Sequence, residues 1–308
     1  MNIQGVFPPV PTPFDKATGE IDLQALSRNI LRLMRSPIVG VLVLGSNGEA
    51  GLLEESEAEA IVAAARDNVP TGRTLLVGAG RESTRATVAA CVRAAANGAD
   101  VVLVRAPSFF KNQMTHDALV AHYRAVADAS PVPVMLYNVP GMAGFSFTLP
   151  MVRALANHPN IIGMKETSND LERLGQFAAI ADKGFDVLSG WAPVAHAAAV
   201  AGARGAIIAV ANVLPDVCVE LWSLAISGQH QQALALQRRI TPIAQLVSSL
   251  HGVAGLKCAL DEIGAYGGPV RAPLLNVSAA VAADIREALV QWREQAPARE
   301  PAPPKETL

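Results

Sequence analysis

His158-Pro159-Asn160-Ile161-Ile162-Gly163-Met164-Lys165-Glu166 is the stretch on which the reading of the chain turns. Two isoleucines, a glycine and a methionine make a short apolar run, preceded by a turn-forming triplet. A run of that length and composition reads as a buried strand of a parallel sheet. Lysine is seldom buried without a reason. At the end of a buried strand its amine is partly desolvated, which favours the neutral, nucleophilic form. The same position also suits a lysine whose head snorkels to water. Glu166, next in the strand, points to the opposite face by alternation and reads as structural.

Working outward, similar strands are expected over 38–44, 74–77, 101–104, 132–137, 185–188 and 205–210, after a first extended piece at Gly5–Pro13. Helical patterning fills the intervals, over 22–35, 55–68, 83–96, 115–129, 150–157, 170–182 and 192–201. Asp22 is placed as an N-cap, and Asn97-Gly98 as a helix stop. Alternation of this kind needs crossover connections and a parallel sheet. Eight units with no evident sheet edge indicate an α/β fold, a (β/α)8 TIM barrel. No GxGxxG follows the first strand, which argues against a dinucleotide-binding open sheet. One further helix over 214–227 completes the barrel, and those over 229–250, 252–263 and 278–294 exceed what it needs. The expected division is a barrel catalytic domain over 1–225 and a C-terminal helical extension over 226–295. A disordered tail is expected over 296–308, where four prolines interrupt any apolar pattern.

The chain has 308 residues, 51% of them hydrophobic and 17% charged, so a large core is available. A net charge of −2 leaves no nucleic-acid footprint and no polybasic membrane signal. No apolar stretch is long enough to span a bilayer, and Met1-Asn2-Ile3-Gln4 leads straight into a strand-like segment without a leader pattern. Cys91, Cys218 and Cys258 are far apart and odd in number, and read as buried thiols in a reducing compartment. A cytoplasmic location is expected. The histidines show no metal-ligand spacing, so no metal site is expected.

Chemistry in such barrels sits at the C-terminal strand ends. Lys165 ends the sixth strand, Tyr137 the fifth, and Gly45-Ser46-Asn47-Gly48 follows the second. Each has a plainer reading: Tyr137 as half-buried packing with a wet hydroxyl, the glycines as a tight turn. Together they describe one reaction. A neutral lysine condenses with a ketone, and the protonated imine becomes an electron sink for the adjacent carbon. A tyrosine hydroxyl supplies the proton for loss of water. Backbone N–H groups in a glycine-flanked turn hold a carboxylate. That is the requirement of a pyruvate-type class I aldolase.

Five stretches, in order, resemble one family: Pro9-Val10-Pro11-Thr12-Pro13-Phe14, Gly45-Ser46-Asn47-Gly48-Glu49, Tyr137-Asn138-Val139-Pro140, Gly163-Met164-Lys165-Glu166 and Tyr266-Gly267-Gly268-Pro269-Val270-Arg271. They are similar to the dihydrodipicolinate synthase and N-acetylneuraminate lyase superfamily of Schiff-base barrels, over about residues 3–295. The resemblance implies Lys165 as the imine-forming lysine and Tyr137 as proton relay. It implies Ser46 and Asn47 as carboxylate binders, Ser46 also joining the relay, and Gly190 and Ile207 as lining of the pyruvyl pocket. It further implies pyruvate and an aldehyde as small-molecule partners, a homotetramer built as a dimer of dimers, and no metal or organic cofactor. Departures point within the family. The synthases carry an arginine where Met142 stands, and a second relay tyrosine near Phe109-Phe110. The Gly-Ser-Asn-Gly-Glu turn looks like 4-hydroxy-2-oxoglutarate and 2-keto-3-deoxy-sugar-acid aldolases; the stretches 130–165 and 255–274 look closer to the first group, in which a basic residue follows the aromatic pair, here Lys111. Lys111 reads as a binder of a distal carboxylate or polyol, or as a solvated loop lysine. The expected activity is cleavage of a 4-hydroxy-2-oxo acid to pyruvate and an aldehyde. The alternatives are the synthase or a dehydratase using the same imine, and a non-catalytic 2-oxo-acid binder.

Overall fold

The computed structural model describes residues 3–180 and 184–295. Eight strands carry the architecture: β1 (Gly5–Phe7), β2 (Gly40–Val43), β3 (Thr74–Gly78), β4 (Val101–Arg105), β5 (Val134–Asn138), β6 (Ile161–Glu166), β7 (Asp186–Ser189) and β8 (Gly205–Ile207). All pair in parallel, in the order β1-β8-β7-β6-β5-β4-β3-β2. The circle is completed beyond β1, where Leu42 N donates to Pro8 O and Val10 N donates to Leu42 O. Pro9 lies opposite Leu42 in that bridge. Its missing N–H is harmless there, because both bonds use its neighbours. The barrel is therefore a TIM barrel, as the alternation indicated.

Helices separate the strands: α1 (Leu23–Met34), α2 (Glu55–Asn68), α3 (Thr84–Ala96), α4 (His116–Ala129), the short α5 (Pro140–Ala143), α6 (Leu149–Ala156), α7 (Leu171–Ala178) and α8 (Ala195–Val200). Their starts follow from short polar caps: Asp22 accepts from Ala25 N, Ser83 from Ala86 N and Thr115 from Ala118 N. In α1, Leu26, Ile30 and Leu33 fall on one face and are buried against the sheet. Inside the barrel, Phe7, Leu42, Leu76, Leu103, Met135, Leu188 and Ile207 form a separate packed cluster that also contains Tyr137. Truncating a leucine there, Leu188→Ala for example, costs about 2–5 kcal/mol.

Four helices follow: α9 (Pro215–Ile226), α10 (His230–Gln245), α11 (Gly252–Glu262) and α12 (Ala279–Glu294). Element bounds differ from the sequence reading in several places, three of them with a visible cause. The eighth strand stops at Ile207 rather than 210, because the chain turns at Ala209–Asn212, where the buried Asn212 side chain donates to Pro9 O and Ala209 O. The helix expected over 229–250 ends at Gln245 and widens into a π turn at Leu246–Leu250. Pro242 lies one turn earlier and removes an N–H from the helical ladder. The short α5, unexpected, starts on Pro140, a residue preset for a first helical position. The tail over 296–308 lies outside the described residues. No helix among them is long and apolar enough to cross a membrane.

Candidate active site

Lys165 and Tyr137 are direct partners across the β5–β6 ladder. Side chains at one level of adjacent parallel strands share a face. Both point into the barrel, where Lys165 is 5% exposed and Tyr137 6%. Lys165 Nζ donates to Tyr137 Oη at 3.5 Å and lies 4.5 Å from the ring centre. Leu188 faces Lys165 from β7, and Ile207 belongs to the same interior cluster as Tyr137. The amine thus sits between a phenol and apolar walls.

Ser46 completes a chain of polar groups. Its hydroxyl lies 3.2 Å from Tyr137 Oη, with either oxygen able to donate. Asn47 follows it, half-buried in the same turn. The turn is wound tightly: Gly48 N donates to Gly45 O and Glu49 N to Ser46 O. Leu44 (φ 55°) and Glu49 (φ 54°) flank it, both in left-handed backbone. That conformation costs a non-glycine residue roughly 1–2 kcal/mol. Gly78 makes room for the first kink, since a Cβ there would overlap the Leu44 carbonyl.

Gly190 is required by space. A Cβ on it would overlap Thr167 Oγ1 and approach Lys165 Cε to 2.9 Å. The Thr167 hydroxyl is buried beside it without a hydrogen-bond partner. A buried, unpaired hydroxyl is costly unless something else satisfies it. Here it lies on the side of Gly190 that the Lys165 side chain also approaches.

Glu166 turns to the other face, as alternation requires. It accepts from Asn138 Nδ2 at 2.6 Å and from Ser168 N at 2.7 Å. Asn138 in turn accepts from Phe147 N, tying down the segment after β5.

The structure thus brings together Lys165, Tyr137, Ser46, Gly190 and Ile207 at the C-terminal strand ends, with Asn47 next to Ser46 in the turn. Lys111 is different. It is exposed, and its side chain runs along Gly144 in the segment after β5. Phe109 and Phe110 beside it are 79% and 62% exposed, and Met142 67%. This loop is held from outside by Glu82, which accepts from Ser108 N, Phe109 N and the Arg105 guanidinium. Burial works to raise the Glu82 carboxyl, but these donors outweigh it and bring it down to about 2. Among the described residues, no three His, Cys, Asp or Glu are grouped to hold a metal ion.

Sequence reasoning did not find the supports of the Ser46 turn. Thr12 Oγ1 donates to Gly48 O at 2.6 Å, and Glu49 is paired with Lys257 on α11, both buried. The signal was present in the residues noted: Thr12, Glu49 and Arg271 lie in three of the five family-like stretches. Their proximity is tertiary.

A TIM barrel with an amine and a phenol in contact at its strand ends defines a class: lyases and aldolases that work through a Schiff base on lysine. The sequence profile of the Dihydrodipicolinate synthetase family matches residues 2–292, and the chain belongs to that family. It is 35% identical over 291 residues to the "Probable 4-hydroxy-2-oxoglutarate aldolase, mitochondrial" of Emericella nidulans, covering 93% of this chain and 94% of that one. It is 36% identical over 280 residues to a 4-hydroxy-tetrahydrodipicolinate synthase of Xanthomonas campestris, covering 91% of each. The crystal structure of the chloride-inhibited dihydrodipicolinate synthase from Acinetobacter baumannii, complexed with pyruvate, superposes with a TM-score of 0.90 at 28% identity, covering 95% of this chain and 99% of that one. The protein is accordingly an aldolase- or synthase-type lyase acting through a lysine Schiff base.

Proposed function

We propose that this protein cleaves a 4-hydroxy-2-oxo acid, of the 4-hydroxy-2-oxoglutarate or 2-keto-3-deoxy-sugar-acid type, to pyruvate and an aldehyde. The observation that carries the reading is the contact of Lys165 Nζ with Tyr137 Oη, extended by Ser46 Oγ. Lys165 Nζ attacks the C2 carbonyl of the substrate. Tyr137 protonates the departing hydroxyl of the carbinolamine, and the imine forms. Tyr137, directly or through Ser46, then takes the proton of the C4 hydroxyl. The C3–C4 bond breaks, and its electron pair moves into the iminium to give an enamine and an aldehyde. Protonation at C3 and hydrolysis release pyruvate and regenerate the amine. Ser46 and Asn47 bind the carboxylate, Gly190 and Ile207 line the pocket, and Lys111 meets the distal polar group of the substrate.

The Xanthomonas relative keeps the synthase as a second reading. Against it stand Met142, exposed and without charge, and the phenylalanines at 109 and 110. Assembly as a homotetramer and a cytoplasmic location belong to the same reading. The exposed Phe109, Phe110 and Met142 favour a covered surface in an oligomer; light scattering after size exclusion tests it.

The decisive experiment is borohydride reduction in the presence of pyruvate, followed by peptide mapping. An adduct on Lys165 supports the imine. Pyruvate release from 4-hydroxy-2-oxoglutarate, followed with lactate dehydrogenase, then separates an aldolase from a synthase. A folded protein with no adduct would overturn the reading in favour of a binder.

A further inference from the structure

Glu49 closes the Gly45–Gly48 turn, yet it faces away from the reacting groups and toward the C-terminal helices. Its carboxylate lies 2.5 Å from Lys257 Nζ, with both side chains at most 1% exposed. The second carboxylate oxygen accepts from Arg271 N at 2.8 Å. Lys257 Nζ also donates to Pro269 O at 2.7 Å and lies 4.3 Å from the Phe14 ring centre. The Arg271 guanidinium stacks on that ring, also at 4.3 Å, and donates to Glu57. Tyr266 Oη donates to Phe14 O. Thr12, two residues before Phe14, donates to Gly48 O. One turn is thus gripped at both its carbonyl and its terminal side chain.

A buried ion pair is a poor source of net stability, and its better-attested use is to fix one arrangement among several. The arrangement needing to be fixed is visible here. Leu44 and Glu49 both hold left-handed backbone, which isolated residues of these types leave readily. Strain of this kind persists only where surrounding contacts over-determine it. Between the two kinks lies Ser46, whose hydroxyl reaches Tyr137 at 3.2 Å. A shift of about 1 Å in the turn would break that contact, and misplacement on this scale costs catalysis heavily.

We propose that Glu49 is a positioning residue: through its buried pair with Lys257, and with Thr12 gripping Gly48, it holds the turn so that Ser46 reaches Tyr137. The proposal rests on the aldolase reading above. It makes the C-terminal helices part of the active-site machinery, although none of the reacting groups comes from them.

The test uses the full chain and counts active sites by borohydride trapping of pyruvate on Lys165, with turnover expressed per trappable site. Glu49→Gln and Lys257→Met are each expected to lower kcat per site at least tenfold while the trapped adduct still forms. The double variant is expected to lose no more than the worse single one, because the two groups act as a unit. Thr12→Val removes the second grip without disturbing the ion pair, and is expected to lower kcat per site severalfold. It keeps the proposal testable where the charge variants do not fold. A merely structural role would lower Tm and yield but leave kcat per trappable site unchanged. Variants within twofold of wild type per site would overturn the proposal and leave the aldolase reading intact. A wild-type protein that forms no adduct would overturn both.

Discussion

Tyr137 Oη stands between two partners, 3.5 Å from Lys165 Nζ on the next strand and 3.2 Å from Ser46 Oγ on the turn after β2. One phenol therefore touches both the amine that would form the imine and the hydroxyl that would pass a proton onward. No other hydroxyl among the described residues bonds to Lys165.

Removing the amine removes the reaction. Lys165→Ala is expected to abolish pyruvate formation and borohydride trapping at any substrate concentration. Lys165→Arg is expected to do the same, because guanidinium stays charged. Steady-state assay with intact mass measurement checks both, and normal turnover in either variant would remove Lys165 from the chemistry.

Tyr137→Phe keeps the ring beside Lys165 and deletes the proton carrier. A loss of about 10²–10⁴-fold in kcat is expected, with little change in KM. Ser46→Ala is expected to cost less, since Tyr137 retains its own contact with the amine. Equal kcat for wild type and Tyr137→Phe would sink the relay.

Gly190→Ala places a methyl group against Thr167 Oγ1 and Lys165 Cε. The barrel is expected to fold, since the collision is confined to side-chain atoms of the pocket. The amine would be displaced from Tyr137 Oη, and kcat is expected to fall about 10²-fold. Circular dichroism beside the activity assay separates displacement from unfolding.

Lys111 is exposed, so its replacement leaves the fold unaffected. Lys111→Ala is expected to raise KM about tenfold for a substrate with a distal carboxylate. An unchanged KM would return it to the solvated loop.

Acid stability carries a separate signature. Burial holds the His122 imidazole neutral, down at about 4 against an ordinary 6.5. The unfolded chain therefore takes up a proton at a higher pH than the folded one. The contribution is complete above pH 6.5, is lost as pH falls toward 4, and is flat below that. Between pH 7 and pH 5 this predicts a loss of about 2 kcal/mol in unfolding free energy from His122 alone. His122→Gln keeps a polar partner for the Thr84 hydroxyl, 2.9 Å away, and is expected to flatten that part of the curve in urea titrations.

Much of this architecture was legible in the one-dimensional pattern. Buried parallel strands read as apolar runs and crossover helices as amphipathic intervals, so β6 and its neighbours could be placed from residue type alone. Strand alternation sent Lys165 inward and Glu166 outward, and barrel topology put Tyr137 and the Ser46 turn at the same end. Periodicity could not register the end of β8, because Ile208 and Val210 remain as apolar as a strand while Asn212 ties the chain into a turn. Nor could it register the π turn after Pro242.

The distances that make a site were decided only by the tertiary structure. Ser46 and Tyr137 are 91 positions apart, and their contact depends on closure of the barrel. Glu49 and Lys257 are far apart in the chain, and each alone reads as an ordinary surface charge. Only folding buries them together, where the loss of water makes the pair specific and leaves the strained turn with one place to go. Local chemistry is written in the sequence because strand and helix periods are local; positioning is not, because it is a property of contacts between segments that the chain order does not join.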